Sequence, residues 1–345
     1  MSLTRRQLLS TAVFGGFSVV LPNAARGEAT EIRASLVLQA EPAPARHEPP
    51  VVTCLAAQQG GQLVAVGGDD HLLRVWNTRT GQLVHRLVGH QDWIRAVQFV
   101  PGRDEIITAG NDRRLLRWTL SERAVAHQEI ARHRQAITCI CLSSDGRRLG
   151  ATGFEPQLAL YDLTDSEAVT QVACPCRDMR AAVFSPNSDM LASAGRNGRV
   201  RLWSDGGKQH VRDIDAHRQR IRALAFSPEG EHLVSASEDR TARIWEVATG
   251  EPVARLSSGT AKILCALYLD DRHLATGGSD NLIRIWDVQR REQISTLVGH
   301  TGSVATLARH NGKLISGSFD TTVRIWQPLA EANQAQRQDN LELLK

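Results

Sequence analysis

The sequence predicts an all-β chain that forms a seven-bladed β-propeller of four-stranded antiparallel blades, closed by an N-terminal strand. Three observations predict it. Seven aromatic residues recur at intervals of 40 to 43 residues. Short runs that alternate apolar and polar residues surround each aromatic residue, and turn residues separate the runs. Four short strands in a period of about 42 residues are typical of a propeller blade. The aromatic residues are Trp76, Trp118, Tyr161, Trp203, Trp245, Trp286 and Trp326.

The repeat around Trp245 shows the predicted strands. Residues Ile221–Phe226 form the first run, Leu233–Ser237 the second and Thr241–Trp245 the third. Ser227–Gly230 separates the first two runs and has the composition of a tight turn. A fourth run follows each aromatic residue, as Gln82–Val88 does in the first repeat. Successive runs with short connections favour antiparallel pairing.

The ends of the chain predict how the ring closes. After Trp326 the chain becomes polar, so the last repeat lacks a fourth strand. The run Ile32–Leu38 alternates like a strand and precedes the first repeat. We expect it to pair with the last blade, which would leave no open sheet edge in the ring. The sequence therefore divides into a leader at 1–29, a propeller at 30–328 and a polar tail at 329–345.

Composition limits the functional class. Hydrophobic residues make up 42% of the chain and charged residues 23%, which is typical of a globular protein. The net charge of +4 is mildly basic. The positive charges are spread along the chain and do not cluster, so we expect no nucleic-acid partner.

The leader resembles an export signal. Thr4–Leu9 contains two adjacent arginines and resembles a twin-arginine signal, which a receptor reads. An apolar stretch from Thr11 to Leu21 follows, and it is too short to span a membrane. Gly27–Ala29 offers a cleavage site of small residues. The resemblance implies a bacterial periplasmic protein without a stable membrane span. The alternative is a disordered basic leader on a cytoplasmic protein.

Positions before the aromatic residues carry a second pattern. Six residues earlier stand Asp70, Asp112, Glu155, Asn197, Asp239, Asp280 and Asp320. Ten residues earlier, five repeats carry a hydroxyl: Thr108, Ser193, Ser235, Thr276 and Ser316. Histidines stand further upstream, in the pairs Gly89-His90 and Gly299-His300 and the variants Arg132-His133 and Ala216-His217. With these residues, the chain resembles the WD-repeat β-propeller family over residues 31 to 328.

The resemblance implies buried hydrogen-bond networks of His, Ser or Thr, Asp and Trp. Complete sets stand in three blades: His90, Thr108, Asp112 and Trp118 in blade 2, His217, Ser235, Asp239 and Trp245 in blade 5, and His300, Ser316, Asp320 and Trp326 in blade 7. These sets superficially resemble a hydrolase triad. Three equivalent copies favour a structural role, since an active site is normally used once. We therefore predict no catalytic residues and no enzymatic activity.

Blades 3 and 4 depart from this pattern. Blade 3 carries Ala151, Glu155 and Tyr161 in place of the hydroxyl, the Asp and the Trp. Blade 4 carries Cys174-Pro175 in place of Gly-His, and Asn197 in place of Asp. Sequence drift is one interpretation, and a specialised face of the ring is the other.

The cysteines offer a candidate for metal or redox chemistry. Cys54, Cys139 and Cys265 occupy one equivalent position that is alanine elsewhere, so we expect small buried packing residues. Cys174 and Cys176 stand between blades 3 and 4, with Met179 nearby. Such soft ligands suit copper(I) or zinc, but two thiols are too few for a complete site. We therefore expect no cofactor. Sequence drift is the alternative to a metal or redox role for these two thiols.

The loops that enter the innermost strands are the predicted partner-binding rim. Exposed Trp and Arg are frequent at interaction hot spots. The candidates are Trp93, Arg95, Arg134, Arg177, Arg180, Arg218, Arg220, Arg222 and Lys262. We expect a monomeric, non-enzymatic scaffold that binds an acidic protein or peptide there. One alternative is an ordinary solvated loop face. The other is a periplasmic propeller, enzymatic or not, that handles a metal or cofactor near Cys174 and Cys176.

Overall fold

The computed structural model describes residues 30–32, 34–39, 48–120, 125–165, 169–173 and 178–327. These residues form seven sheets and one short 3-10 turn at Asp205–Gly207. The predicted all-β, seven-bladed propeller is confirmed. Within the described ranges, no helix has the length and apolar character needed to cross a membrane. The predicted leader at 1–29 and the tail at 329–345 lie outside the described residues.

Two strands precede the first blade, and each blade then takes its strands in chain order from the centre outwards. The two N-terminal strands are β1 (Thr30–Ile32) and β2 (Leu36–Gln39). Blade 1 consists of β3 (Val52–Ala57), β4 (Leu63–Gly68), β5 (Leu72–Asn77) and β6 (Leu83–Val88). Blade 2 consists of β7 (Ile94–Phe99), β8 (Glu105–Gly110), β9 (Arg114–Thr119) and β10 (Ala126–Arg132). Blade 3 consists of β11 (Ile137–Leu142), β12 (Arg148–Gly153), β13 (Gln157–Asp162) and β14 (Val169–Ala173).

The remaining four blades repeat this order. Blade 4 consists of β15 (Met179–Phe184), β16 (Leu191–Gly195), β17 (Arg199–Ser204) and β18 (Gln209–Asp215). Blade 5 consists of β19 (Ile221–Phe226), β20 (His232–Ser237), β21 (Thr241–Glu246) and β22 (Pro252–Ser257). Blade 6 consists of β23 (Ile263–Tyr268), β24 (His273–Gly278), β25 (Ile283–Asp287) and β26 (Glu292–Leu297). Blade 7 contributes β27 (Val304–His310), β28 (Lys313–Ser318) and β29 (Thr322–Trp326).

The N-terminal strand closes the ring as predicted. β2 pairs antiparallel with β29, from Leu36 opposite Ile325 to Gln39 opposite Thr322. The backbone N–H and the hydroxyl of Ser35 both donate to the Ile325 carbonyl, at 2.8 and 2.9 Å.

The N-terminal run is nevertheless not the single strand that its alternation predicts. β1 pairs in parallel with β26 of blade 6 and adds a fifth strand to that sheet. Blades 6 and 7 are separate sheets. The N-terminal segment pairs with both of them, so it has to end its pairing with β26 before it pairs with β29.

The core lies between the blades, where the side chains of each sheet pack on the next. Leu73 and Val75 of blade 1 are fully buried against Ile94 and Ile106 of blade 2, and Trp118 is 2% exposed in the same cluster. Burying an aliphatic side chain of this size contributes about 1.5–3 kcal/mol. Similar clusters at the other seams hold the ring together.

Each inner strand begins with a β-bulge. In blade 2, Ile94 lies opposite Gly110 and Ala96 lies opposite the adjacent Ala109, so Arg95 is the extra residue. The register shifts at the same point in all seven inner strands. A bulge re-aims the side chain of its extra residue. The seven bulge residues therefore form a ring at the loop end of the inner strands: Thr53, Arg95, Thr138, Arg180, Arg222, Leu264 and Ala305.

Candidate functional site

The structure brings together the network residues of blade 2. His90 Nδ1 lies 2.8 Å from Asp112 Oδ2, and His90 Nε2 lies 2.7 Å from Thr108 Oγ1. The indole N–H of Trp118 donates to the same Thr108 oxygen at 2.8 Å. The hydroxyl therefore joins the histidine to the tryptophan inside the blade.

Blades 5 and 7 contain the same arrangement. His217 lies 2.9 Å from Asp239 and 2.8 Å from Ser235, whose oxygen accepts the Trp245 indole N–H at 2.9 Å. In blade 7, His300 lies 2.8 Å from Asp320 and 2.7 Å from Ser316. The Ser316 oxygen accepts the Trp326 indole N–H at 2.9 Å. The three histidine side chains are at most 1% exposed. A substrate could not reach them, so the geometry is that of structural networks.

Blades 1 and 6 satisfy the turn carboxylate differently. Asp70 accepts two hydrogen bonds from the Arg74 guanidinium, at 3.1 and 2.6 Å. Asp280 accepts two from Arg284, at 3.2 and 2.5 Å. An arginine of the same blade thus takes the place that a histidine holds in blades 2, 5 and 7. Such bidentate pairs are among the stronger hydrogen bonds in proteins.

The bulge ring carries positive charge at the mouth of the central channel. Its arginines come from blades 2, 4 and 5: Arg95, Arg180 and Arg222. Burial first, and then the charge of Arg180, lower the pKa of Arg95 and of Arg222. These guanidinium groups are therefore close enough to repel one another. We call this end of the channel the cationic mouth, defined by Arg95, Arg180, Arg220, Arg222 and Lys262.

Two carboxylates at the cationic mouth contact these cations. Asp178 is 7% exposed and lies 2.5 Å from Arg180 Nε and 2.7 Å from Arg220 Nη2. Glu238 lies 3.2 Å from Arg220, 3.5 Å from Arg222 and 3.4 Å from Lys262. Four cations thus contact two carboxylates, and Arg95 contacts neither of them, so the mouth keeps an excess of positive charge.

The shared charges change the acidity of the Glu238 carboxyl. Burial opposes ionisation, but the hydrogen bond from Arg220 and the charges of Lys262, Arg220 and Arg222 outweigh it. The pKa of Glu238 is consequently below its usual range, so this carboxylate stays ionised.

Aromatic side chains accompany two of the arginines. The Arg95 guanidinium lies 4.6 Å from the centre of the Trp93 ring and donates to Asn111 Oδ1 at 2.9 Å. The Arg180 guanidinium lies 4.6 Å from the centre of the Phe154 ring. A cation over an aromatic face is held in position without losing its charge. Arg95 therefore remains available to an anion, whereas Arg180 already pairs with Asp178.

The other predicted rim residues have less definite surroundings. Arg134 and Arg218 are exposed, and their backbone N–H groups donate to Glu155 at 2.8 Å and Asp239 at 3.4 Å. Arg177 lies outside the described residues. Asp178 and Glu238 were not among the predicted site residues, although Asp178 occupies the repeat position of Trp93 and Arg220. Comparison of that position across the repeats would have identified the pairing of Asp178 with Arg220.

The thiol candidates separate into two groups. Cys54 and Cys265 are buried, and burial raises the pKa of both thiols to about 12. Cys174 and Cys176 lie outside the described residues, while Met179 is 1% exposed in an apolar cluster. Among the described residues, no group of three or more His, Cys, Asp or Glu side chains is arranged to hold a metal ion.

The opposite end of the channel has a different lining. A cavity of about 580 Å³ there is bordered by apolar residues such as Phe99, Phe184 and Leu267 and by polar ones, among which Arg103, Asp104 and Arg309 carry charge. Positive charge is thus more concentrated at the cationic mouth, which is the end better suited to an anionic partner.

The repeats match a known family over more than half of the chain. Residues 45–77, 81–119, 164–204, 208–246, 250–287 and 291–327 match the family described as WD domain, G-beta repeat. Residues 120–163, which contain the first three strands of blade 3, fall between the matched ranges. The divergence of blade 3 thus extends over its first three strands.

Curated proteins are similar over shorter stretches. Nuclear distribution protein nudF of Aspergillus niger is 31% identical over 88 residues, which are 26% of this chain and 20% of that protein. Nuclear distribution protein PAC1 of Coccidioides posadasii is 33% identical over 85 residues, or 24% and 18%. Periodic tryptophan protein 2 of Saccharomyces cerevisiae is 23% identical over 122 residues, or 35% and 13%. The similarity thus spans a fifth or less of each relative. Together, the seven four-stranded blades, their buried His–Ser/Thr–Asp–Trp networks and the matched repeats show that this chain belongs to the WD-repeat family.

Proposed function

We propose that this WD-repeat propeller is a non-enzymatic scaffold that binds an acidic segment of a partner protein at the cationic mouth. The observation that carries the proposal is the excess of arginine and lysine over carboxylate in the contacts of the mouth. Complementary charge attracts an oppositely charged segment and selects against similarly charged ones. The guanidinium groups suit carboxylates because they donate two parallel hydrogen bonds.

Arg95 is the anchor with the least competition inside the protein. Its polar contact is the neutral Asn111 amide, and its other contact is the Trp93 ring. Arg180 and Arg220, in contrast, each hold the Asp178 carboxylate. A partner carboxylate at Arg95 therefore displaces no internal ion pair.

The binding test uses the full mature chain and a fluorescent octaglutamate peptide, with octaglutamine as the uncharged control. We expect octaglutamate to bind with an affinity that falls as salt rises, because exposed charges are screened. Arg95→Ala should weaken binding about three- to tenfold, since exposed charge pairs are individually modest. Arg309→Ala is the matched control, because it removes one arginine from the opposite end of the channel.

The outcomes separate clearly. Equal binding of octaglutamate and octaglutamine would reject recognition of charge. Equal losses in Arg95→Ala and Arg309→Ala would reject this mouth as the binding face. Neither substitution removes a partner of a buried carboxylate, so both variants should fold.

We further propose that the chain is exported by a twin-arginine route and acts in the periplasm. The support is the resemblance of Thr4–Leu9 to such a signal and the small residues at Gly27–Ala29. Protein isolated from the periplasm of the native host should begin near Thr30. Replacement of Arg5 and Arg6 by lysine should leave unprocessed protein in the cytoplasm. A native N-terminus at Met1 or Ser2 would overturn this proposal.

A further inference from the structure

A polar cavity of about 440 Å³ lies on blade 3, and the residues that line it differ from those that define the cationic mouth. It is bordered by the loop that enters β11, by the turn between β12 and β13, and by β13 and β14. Glu155, Gln157, Ala159, Tyr161 and Gln171 contribute to its lining. We call it the blade 3 cavity.

The cavity lies where blade 3 lacks an arginine that the other blades carry. Four and two residues before the repeat aromatic, each of the other six blades carries at least one arginine. These are Arg74, Arg114, Arg199, Arg201, Arg243, Arg284 and Arg324. Blade 3 carries Gln157 and Ala159 at the two positions. Since Ala159 lines the cavity, the missing side chain accounts for part of the open space.

The arginines of the other blades show which groups contact a guanidinium group at this repeat position. Arg74 and Arg284 each donate two hydrogen bonds to the turn carboxylate of their own blade. Arg201 of blade 4 lies with its guanidinium 5.5 Å from the centre of the Trp203 ring. A carboxylate and an aromatic face thus receive the guanidinium group in sibling blades.

Blade 3 retains both of these receiving groups. Glu155 stands at the position of the turn carboxylate, and Tyr161 stands at the position of the repeat aromatic. Glu155 Oε1 accepts the backbone N–H groups of Arg134 and Gln135, at 2.8 and 3.0 Å. In the part of the chain that the structure describes, Glu155 Oε2 has no hydrogen-bond partner. One carboxylate oxygen therefore remains for a ligand.

We propose that the blade 3 cavity binds the guanidinium group of an arginine side chain presented by a partner protein. Glu155 accepts its hydrogen bonds, and Tyr161 lies beside it as Trp203 lies beside Arg201 in blade 4. A planar guanidinium suits this pair because it donates to carboxylates and also stacks on aromatic rings.

The other charged groups around the cavity have opposing effects. Arg132 shares the Glu129 carboxylate with Arg114, at 2.9 and 2.6 Å, so its charge is only partly compensated and also opposes a bound cation. Burial lowers the pKa of His133, whose Nε2 lies 2.8 Å from the Tyr161 hydroxyl, so the imidazole is neutral near pH 7. Arg134 is exposed, and it has no ion-pair partner within the described ranges. Its charge opposes a bound cation.

This proposal is independent of the function proposed above. The cationic mouth selects anions and is built by residues of blades 2, 4 and 5 and of the loops that enter blades 5 and 6, whereas the blade 3 cavity selects a cation and is lined by the loop before β11, the turn after β12, β13 and β14. Loss of octaglutamate binding leaves the second proposal standing, and loss of arginine binding leaves the first one standing.

The test titrates the isotope-labelled full chain with Nα-acetyl-arginine methylamide and follows its backbone amides by NMR. The control ligand is the citrulline analogue, which has nearly the same shape without the charge. We expect saturable shifts at residues 133–135 and 155–161 with the arginine probe. The citrulline probe should bind roughly tenfold more weakly, because its hydrogen bonds are not charge-assisted. Equal binding of the two probes, or shifts confined to other blades, would overturn the proposal.

Variants of the cavity sharpen the test. Glu155→Gln retains the oxygen that accepts the two backbone N–H groups but removes the charge, and it should weaken arginine binding roughly tenfold. Ala159→Arg restores the sibling pattern, so it should fill the cavity and abolish binding without lowering the melting temperature. Arg134→Ala should strengthen binding. Glu251→Gln, on an exposed turn of blade 5, is the matched control and should bind like the wild type. Binding that survives both Glu155→Gln and Ala159→Arg would refute the assignment.

Discussion

Asp178 and Arg220 join blades 4 and 5 at the cationic mouth, with 2.7 Å between Asp178 Oδ2 and Arg220 Nη2. They stand 42 residues apart at the same repeat position. The carboxylate is largely buried, while about a quarter of the arginine side chain is exposed. A repeat position that is aromatic in blade 2 and positive in blades 5 and 6 is acidic in blade 4, and it thus becomes a charge bridge between two neighbours.

Removal of the Asp178 charge should have two effects of opposite sign. Asp178→Asn leaves Arg180 and Arg220 without their shared carboxylate, so the free energy of unfolding should fall by about 1–3 kcal/mol. The same change adds one net positive charge to the mouth, so octaglutamate should bind more tightly. Denaturant unfolding and peptide titration measure the two effects. Asp189→Asn, whose carboxylate is 71% exposed in its pair with Arg148, is the control and should change stability by less than about 0.5 kcal/mol.

The network of blade 7 should make stability depend on acidic pH. Burial alone would raise the pKa of Asp320, but hydrogen bonds from His300, Thr322 and the Thr301 backbone hold it well below the ordinary 3.8. A depressed folded-state pKa contributes stability that is present above the unfolded-state pKa and is lost as pH falls through the folded value.

We therefore expect wild-type stability to fall below about pH 4 and Asp320→Asn to lose less of its stability in that range. At pH 7 the variant should be less stable by about 1–3 kcal/mol, because it weakens a buried hydrogen-bond network. Thermal unfolding from pH 7 to pH 2 measures both. A pH profile parallel to that of the wild type would contradict the role of this carboxylate, and the exposed Asp215→Asn serves as the control.

The closing strand predicts a contrast between two adjacent residues. Leu38 is 6% exposed in the cluster that joins blades 7 and 1, whereas Val37 is 45% exposed. Leu38→Ala should lower the free energy of unfolding by about 2–4 kcal/mol, because it leaves a cavity in a packed seam. Val37→Ala should change it by less than about 1 kcal/mol. Similar effects of the two substitutions in denaturant unfolding would contradict the packing of β2 on β29.

The residue after the turn Asn or Asp has a left-handed backbone conformation in blades 4 and 5, so glycine should be the more stable choice there. Gly198 and Arg240 occupy one repeat position, with φ of 72° and 71°. A Cβ at Gly198 would collide with the His217 carbonyl oxygen, so Gly198→Ala should destabilise by about 1–3 kcal/mol. Arg240→Gly should raise stability by up to about 1 kcal/mol, since a left-handed conformation strains residues other than glycine. Melting temperatures that change in the same direction would refute this comparison.

The sequence alone was sufficient for the fold because each blade repeats the same local information. The aromatic residues set the period, the alternation identifies the strands, and the polar tail after Trp326 predicts closure from the N-terminus. The histidines, hydroxyls and carboxylates of blades 2, 5 and 7 could also be assigned, since the hydroxyl and the carboxylate stand 10 and 6 residues before the tryptophan and the histidine stands 26 or 28 residues before it.

What the tertiary structure decided are the contacts between repeats and the spaces left inside them. Asp178 meets Arg220, and Glu238 meets Lys262, only because successive blades place equivalent loops side by side. The β-bulge that directs the Arg95 side chain towards the cationic mouth depends on a register shift between β7 and β8. The alternation of apolar and polar residues in the sequence does not reveal this shift. The blade 3 cavity owes part of its space to the small side chain of Ala159. Local patterns specify strands because backbone pairing is repetitive, whereas a site depends on which side chains converge from different blades.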